Sequence, residues 1–318
     1  MTVTTRTNLA TNPSVAAAAT NWAAVAGTGG TAVGARNTGE GYSGTGFFRV
    51  TWSAATTALS GGFTYSQTGL AASTLYQQAF WVRSSKTQTV ALTVTYRDAA
   101  LATVNTIVGP SVALTANVWT LVTASGTSGA AVTNAVCTVA ATTGGALWAN
   151  TDTFDGDAAL IEASSVAGPY FDGSFVNAAS IMYAWTGAAD ASTSTATTYV
   201  PQLSLVTKSD DPCDRVEVTI TDLTPTENTV TVWRTSDGKR QAVRESRGRT
   251  KVTSDFIVDY EVPLGRTVTY ELEVTAGLNN QVAVTPQNVV VAATSGWIQD
   301  PLDPGSAIRI HGGVGPGG

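Results

Sequence analysis

The stretch LYQQAFWVRSSKTQTVALTVTYRD, residues 75–98, indicates the fold class more clearly than any other part of the chain. In its second half Val90, Leu92, Val94 and Tyr96 alternate with small or polar residues. This is the period-two pattern of a strand with one buried face. The first half, Leu75–Ser84, is equally rich in aromatic and aliphatic residues. We therefore predict two strands within this stretch.

Similar runs continue on both sides of it. FFRVTW (Phe47–Trp52), NVWTLVTAS (Asn117–Ser125) and TNAVCTVAA (Thr133–Ala141) are rich in Val, Thr and aromatic residues. Gly-rich turn signals such as LSGGFT and TTGGAL separate these runs, and no long helical period interrupts them. Strands at this spacing predict a β-sandwich or jelly roll for the first half of the chain.

The second half repeats the alternation with a more charged surface. In RTVTYELEV (Arg266–Val274) the apolar positions alternate with glutamates, and DRVEVTITDL (Asp214–Leu223) behaves in the same way. Asp237–Gly238 is a strong hairpin signal. About 85 residues with six or seven such strands fit an immunoglobulin-like sandwich. We predict an all-β chain, an N-terminal jelly-roll sandwich followed by an immunoglobulin/fibronectin type III-like sandwich.

Charge density indicates where the two halves meet. Residues 1–200 contain 6 Lys/Arg and 8 Asp/Glu, or 7%, whereas residues 201–318 contain 11 and 15, or 22%. A polar Ser/Thr stretch followed by prolines lies at this change, as is common in linkers. We predict a jelly-roll domain at 1–165, a connecting segment at 166–212 and a sandwich at 213–295. Residues 296–318 are predicted to be a Pro/Gly-rich tail or the start of a further segment.

Composition excludes several classes of protein. A net charge of −6 argues against a nucleic-acid-binding protein. No run of 18 apolar residues predicts membrane insertion. The Ala-rich N-terminus has one basic residue, Arg6, and no signal-peptide core, so we expect synthesis and folding in a reducing cytoplasm. Cys137 and Cys213 are far apart and are predicted to be unpaired thiols.

Candidate catalytic groups are few. The only histidine is His311, in the Gly-rich C-terminal stretch, so neither domain can form a Ser-His-Asp or Cys-His arrangement. Asp152, Asp155, Asp157 and Glu162 could in principle supply a glycosidase pair. In a regular strand, Asp155 and Asp157 would share one face and Glu162 would lie on the other. Solvated turn acids or metal ligands explain the same residues, and we predict that the chain is not an enzyme.

The first domain resembles the jelly-roll carbohydrate-binding modules of polysaccharide-degrading enzymes. NLATNPS (Asn8–Ser14), GYSGTGFFRVTW (Gly41–Trp52), STLYQQAFWVRS (Ser73–Ser84) and DTFDGDAALIE (Asp152–Glu162) are similar to successive strands of that family, in the same order. The resemblance covers about residues 8–165. It implies a jelly roll that contacts glycans.

A second resemblance covers much of the remaining chain. VAGPYFDGSFVNAASIMYAWTGAADASTST (Val166–Thr195), DPCDRVEVTITDL and GWIQDPLDPGSA resemble segments of minor tail proteins from phages that infect actinobacteria. The resemblance implies a structural protein of the virion, at or near the distal tail, with other tail proteins and host cell-wall glycan as partners. The low charge of residues 1–200 also predicts a homo-oligomer. The alternative is an accessory carbohydrate-binding portion of a secreted glycan-degrading enzyme.

The carbohydrate-binding-module resemblance also implies a structural Ca²⁺ site. The matching positions are Glu40, the backbone near Ser43, and Asp157, because hard cations need oxygen ligands gathered from separate segments. The sequence departs from the family after Asn-Pro-Ser, where Val15 and Ala16 replace the usual acidic residue. Plain turn acids are the other interpretation.

Aromatic residues would carry any glycan binding, since sugars stack on exposed rings. Trp22, Tyr42 and Trp148 lie beside Gly- or Asn-rich turns and are the predicted platform, with rings that cap the core as the alternative. Trp81 and Trp119 lie in strand patterns and are predicted to be core. The basic run Lys239–Lys251 is interpreted as a solvated loop, a subunit-docking patch or, least of all, a nucleic-acid arm.

Overall fold

A computed structural model describes residues 3–178, 180–210 and 213–292, and the backbone of residues 296–300 and 303–310. All secondary structure in these residues is β-strand, and the described part of the chain has no helix that could cross a membrane. The chain divides into two compact units. The N-terminal unit comprises residues 5–176 and 183–196, and the C-terminal unit comprises residues 1–4, 177–182 and 197–318.

The strands follow one another with short connections. The first fourteen are β1 (Val3–Asn8), β2 (Trp22–Val25), β3 (Thr31–Thr38), β4 (Gly46–Ala54), β5 (Gly62–Thr68), β6 (Leu75–Ser84), β7 (Gln88–Arg97), β8 (Thr103–Val108), β9 (Val112–Leu114), β10 (Thr120–Thr127), β11 (Asn134–Ala141), β12 (Thr153–Glu162), β13 (Ile181–Trp185) and β14 (Ser194–Tyr199). The others are β15 (Gln202–Lys208), β16 (Arg215–Thr221), β17 (Asn228–Ser236), β18 (Lys239–Ala242), β19 (Arg249–Lys251), β20 (Asp255–Asp259), β21 (Thr267–Ala276), β22 (Gln287–Val290), β23 (Gly296–Asp300) and β24 (Asp303–Ile310).

The N-terminal unit is the predicted jelly-roll sandwich. One sheet has the order β10-β6-β12-β4-β3, and the other has the order β2-β5-β11-β7-β8 with β9 beside β7. Both sheets supply side chains to one hydrophobic core. In β7 the alternation is as predicted, because Val90, Leu92, Val94 and Tyr96 are fully buried. Apolar burial of this kind stabilises a sheet by about 25 cal/mol per Å² removed from water.

The C-terminal unit contains the second sandwich. Its three-stranded sheet has the order β15-β16-β20, and the facing sheet has the order β18-β17-β21-β22 with β19 beside β17. The strictly alternating β21 buries Val268, Tyr270, Leu272 and Val274 in the shared core. The arrangement of a three-stranded sheet against a five-stranded one agrees with the predicted immunoglobulin/fibronectin type III-like sandwich.

The predicted connecting segment 166–212 is wrong as a description of this region. Residues 166–176 and 183–196 belong to the N-terminal unit, whereas residues 177–182 and 197 onwards belong to the C-terminal unit. Strands β13 and β14 form a three-stranded sheet with β1, and β15 is the first strand of the second sandwich. β14 is rich in Ser and Thr, and this polarity made the region resemble a linker in the sequence.

The structure also tests the predictions for the two cysteines and for the C-terminal residues. Cys137 and Cys213 are free thiols, as predicted, and the structure shows that both are buried. Of the two interpretations of residues 296–318, the Pro/Gly-rich tail is wrong for residues 296–300 and 303–310, which form the antiparallel pair β23 and β24. The start of a further segment stays a prediction. His311 and the residues after it lie outside the described part of the chain.

Candidate functional site

The outer face of the five-stranded sheet in the N-terminal unit brings the candidate residues together. Phe80 and Val82 of β6 belong to the core, so Ala79 and Trp81 point to the opposite side. Trp81 lies between Leu121 of β10 and Asp157 of β12 in the antiparallel register. Cross-strand neighbours share a face. This face therefore carries both an aromatic ring and an acidic residue.

An aromatic cluster covers one part of this face. The ring of Tyr42 stacks on that of Trp81, with centroids 3.8 Å apart and an interplanar angle of 11°. Trp119 meets Tyr42 edge-on at 6.4 Å, and the guanidinium of Arg83 lies 4.7 Å from the centre of the Trp119 ring. Tyr42 remains 41% exposed. The cluster thus presents one exposed ring on supporting rings.

The sequence-based prediction for two of these rings, Trp81 and Trp119, is wrong. Trp81 and Trp119 were predicted to be core, but both are only half-buried and lie in this surface cluster. A strand pattern shows that one face is buried, but it does not show which aromatic residues lie on that face when both faces are rich in apolar side chains. The signal that was missed is the alternation within β6: Phe80 and Val82 point into the core, so Trp81, which lies between them, must point to the other face of the sheet.

The other two predicted platform residues are buried, so this part of the prediction is wrong. Trp22 is 5% exposed and packs edge-on against Tyr65 and Phe80. Trp148 is fully buried and stacks on Trp52 at 4.1 Å. Neither ring can contact a sugar in solvent. Their Gly- and Asn-rich neighbours form turns that return each indole to the core.

The loop between β3 and β4 positions Tyr42. The Gly39 N–H donates to the Thr45 carbonyl at 2.8 Å, which closes the loop at its base. Gly41 has no room for a side chain, because a Cβ atom there would lie 2.6 Å from the Gly46 oxygen and 3.1 Å from Asp157 Oδ2. The indole N–H of Trp119 donates to the Glu40 carbonyl at 3.2 Å. These contacts hold the loop against the sheet.

The three predicted calcium ligands do not form a calcium site. Ser43 and Asp157 do meet, but the Ser43 N–H donates to Asp157 Oδ2 at 2.9 Å and the Ala158 N–H donates to Oδ1 at 2.7 Å. Each oxygen of Asp157 therefore already accepts a hydrogen bond from the backbone. Glu40 is turned to Arg83, 3.2 Å away, with its side chain 86% exposed. No group of three potential metal-ligating side chains occurs in the described residues. The residues present do not fit Ca²⁺, and Asp157 anchors the loop instead.

Burial of Asp157 has a consequence for stability. Desolvation raises the pKa of its carboxyl group to about 7, while the N–H groups of Ser43, Ala158 and Tyr42 act in the opposite direction. A raised pKa means that folding favours the protonated form. The stability from this group is complete below its ordinary pKa of 3.8 and is lost as the pH rises to about 7.

We therefore expect the free energy of unfolding of the wild type, relative to Asp157→Asn, to fall as pH rises from 4 to 7. The slope is at most about 1.4 kcal/mol per pH unit, since the amide does not titrate. Urea unfolding at four pH values measures the difference. Parallel pH profiles for the two proteins would show that Asp157 does not titrate in this range.

The four acidic residues considered for catalysis each have a partner. Arg49 and Arg83 both contact Asp155, Lys86 pairs with Asp152, and Arg6 pairs with Glu162 through two hydrogen bonds. Asp157 accepts the backbone donors described above. Carboxylates held in this way are structural groups.

The predicted faces of β12 need one correction. The register between β12 and β6 shifts between Asp157 and Leu160, and Ala158 has a positive φ of 52°. This β-bulge inserts a residue, so Glu162 lies on the same face as Asp155 and not on the opposite one. A bulge at an Ala-Ala pair has no clear sequence signal.

An open groove of about 430 Å³ lies beside the aromatic cluster. Tyr42 and Trp81 line it, and residues 168–175 supply Tyr170 and Phe175. Ala79, Leu121 and Leu160 supply apolar side chains from three adjacent strands. The Tyr170 hydroxyl donates to Asp172 Oδ2 at 2.8 Å. Burial and the neighbouring Asp172 raise the pKa of Tyr170, which keeps this hydroxyl protonated. The groove is thus an apolar recess with aromatic walls.

The basic run of the C-terminal unit is mostly neutralised. Arg240 pairs with Glu271 and Arg244 pairs with Glu261. Arg249 and Lys251 both pair with Asp255. The run also includes β18 and β19, so the predicted solvated loop is wrong for those strands. Cations paired in this way do not favour the nucleic-acid alternative, and docking of another subunit stays a prediction.

Comparisons with known proteins identify likenesses of fold. No protein-family model matches the chain, and no curated protein matches it. The CBM22-1–CBM22-2 tandem of Paenibacillus barcinonensis Xyn10C is 12% identical over 87% of this chain and 92% of its own, with a TM-score of 0.37. The CBM22-1–GH10 modules of Clostridium thermocellum xylanase 10B are 18% identical over 49% of this chain, with a TM-score of 0.36. The enzymatically active domain of bacteriophage CBA120 tailspike protein 4 is 13% identical over 48%, with a TM-score of 0.34. The chain covers 28% of the xylanase and 21% of the tailspike, less than two thirds of either.

Proposed function

We propose that the chain is a non-catalytic glycan-binding protein and that its site is the groove beside Tyr42 and Trp81. The observation that carries this proposal is the exposed Tyr42 ring, stacked on Trp81 at 3.8 Å beside a recess of about 430 Å³. A pyranose ring has C–H groups on one face, and these pack against the flat surface of an aromatic side chain. The volume lies within the range of small-molecule sites.

Preorganisation of the rings supports binding. Tyr42 is held by its stacking on Trp81 and by the Asp157 anchor at the next residue, Ser43. Trp119 and Arg83 support the cluster from the side. A ring that is already fixed loses little conformational entropy when a sugar stacks on it. The site therefore needs little rearrangement to bind.

The acidic residues support a binding role without hydrolysis. A glycosidase needs two carboxyl groups that are free to exchange protons or attack the sugar. Here Asp155 lies between two arginines, and Asp157, whose pKa is raised to about 7, receives backbone donors from the loop. Neither carboxyl group is among the residues that line the groove. These carboxyl groups build the site and do not act on the ligand.

The test is incubation of the full chain with host cell-wall polysaccharides and a glycan array. We expect retention on at least one glycan and no increase in reducing ends. Failure to bind any of these glycans contradicts the proposal. Glycan cleavage that is lost in Asp157→Asn would favour an enzyme.

As part of the same proposal, the chain works in the virion as a structural protein at or near the distal tail of a phage. The support is the resemblance of Val166–Thr195 and two later segments to minor tail proteins. The proposed partners are other tail proteins, further copies of the chain and the host cell wall. Labelling virions with an antibody to the chain should place it on the tail, and its absence from purified virions would contradict this role.

A further inference from the structure

The floor of the groove is apolar, and two polar groups of its lining, the Tyr170 hydroxyl and the Ser43 N–H, already have partners. Ala79 of β6 lies directly opposite Leu160 of β12, and Leu121 of β10 lies opposite Trp81 in the next row of the same face. Ala79 and Leu160 are buried at the base of the groove, and Leu121 is more exposed. A group that reaches this floor meets methyl groups and not hydrogen-bond partners.

The polar atoms nearest the floor take part in other contacts. The Tyr170 hydroxyl donates to Asp172, and the Ser43 N–H donates to Asp157. A sugar hydroxyl packed against Ala79 and Leu160 would lose water without gaining a hydrogen-bond partner from either side chain, which is unfavourable. An acetamido substituent would be disfavoured for the same reason, because its N–H and carbonyl groups both need partners. A methyl group has no such requirement and gains apolar contact.

We infer that the groove selects 6-deoxyhexoses, with the sugar ring on Tyr42 and Trp81 and the C6 methyl group against Ala79 and Leu160. This inference rests on the proposed glycan-binding function and names the class of sugar. The remaining ring hydroxyls face the rim and solvent. In an ordinary hexose the C6 hydroxyl takes the place of one methyl hydrogen and is buried without a partner.

The test compares sugars that differ only by this hydroxyl. Binding of the full chain to methyl α-L-rhamnopyranoside and methyl α-L-mannopyranoside is measured by NMR titration. The second pair is methyl α-L-fucopyranoside and methyl α-L-galactopyranoside. For the pair whose ring hydroxyls fit, we expect the 6-deoxy sugar to bind about 5- to 100-fold more tightly. Trp81→Ala should weaken this binding by roughly 5- to 100-fold, which abolishes detectable binding of a weakly bound monosaccharide.

Ala79→Ser tests the floor itself. It places a hydroxyl group at the base of the groove with little change in volume, so the preference for the 6-deoxy sugar should fall at least severalfold. Ala113→Ser is the matched control, because Ala113 is exposed on β9 of the same unit and lies outside the groove lining. It should leave the preference unchanged.

The outcomes separate the inference from the proposed function. Equal affinity within both pairs, or tighter binding of the hexoses, overturns the inference; if Trp81→Ala still abolishes binding, the proposed function stands. Retention on another glycan without binding of either 6-deoxy sugar also overturns the inference alone. Absence of binding to every glycan overturns both.

Discussion

Trp148→Ala should lower the free energy of unfolding of the N-terminal unit by about 3–5 kcal/mol, the usual cost of removing a buried aromatic side chain. Trp148 is fully buried and stacks on Trp52 with an interplanar angle of 8°. Its indole N–H donates to the Gly61 carbonyl at 3.1 Å. The substitution leaves a cavity and removes one of the two donors to the Gly61 carbonyl, the other being the Ala141 N–H. Urea unfolding followed by circular dichroism measures the loss.

Two other variants serve as controls for this result. Trp148→Phe keeps much of the ring contact and should lose less stability than Trp148→Ala. Trp233→Ala removes a half-buried indole that lies on β17 under the guanidinium of Arg240, 4.1 Å away. It should leave the transition of the N-terminal unit unchanged. A loss below about 1 kcal/mol for Trp148→Ala would show that this ring is not part of the core.

Asp155→Ala should destabilise the same unit by about 3–5 kcal/mol, the typical cost of removing one partner of a buried ion pair. Asp155 is 1% exposed, and its two oxygens accept hydrogen bonds from Arg49 at 2.7 and 2.8 Å and from Arg83 at 3.0 Å. Without the carboxylate, two guanidinium groups remain close together with little water around them. Thermal unfolding at neutral pH measures the effect.

Glu40→Gln is the matched control for Asp155→Ala. Glu40 also contacts Arg83, at 3.2 Å, but its side chain is 86% exposed. Exposed ion pairs typically contribute less than about 1 kcal/mol, so this variant should be nearly as stable as the wild type. Equal effects of the two substitutions would contradict the structural role assigned to Asp155.

The sequence predicts the strands of this chain better than the faces they present. In β7, only one face is apolar, and the alternation correctly identified Val90 and its partners as buried. In β6, both faces are covered, since residues of the loop after β3 and of 168–175 lie over the outer face. The sequence of β6 therefore does not show that Trp81 lies outside the core. In β12, the bulge after Asp157 changed the face of Glu162.

The candidate site was predicted only in part for a related reason. The structure brings Tyr42, a predicted platform residue, and Asp157, a predicted calcium ligand, to the same face of the sheet. Their contacts depend on a loop that no local pattern specifies. Turn composition suggested exposure for Trp22 and Trp148, whereas the tertiary fold returns both rings to the core. The local sequence predicts where a turn forms. It does not predict the direction of the neighbouring aromatic side chain, because that direction depends on what the turn packs against.

The most direct test of the account is the affinity of the wild type, Trp81→Ala and Trp233→Ala for a polysaccharide that retains the wild type. Loss of one aromatic anchor from a stacked pair removes about 1–3 kcal/mol of binding free energy, or roughly 5- to 100-fold in affinity. We predict this loss for Trp81→Ala, with folding checked by circular dichroism, and no change for Trp233→Ala. Unchanged binding by a folded Trp81→Ala variant would contradict the assignment of the groove as the glycan-binding site.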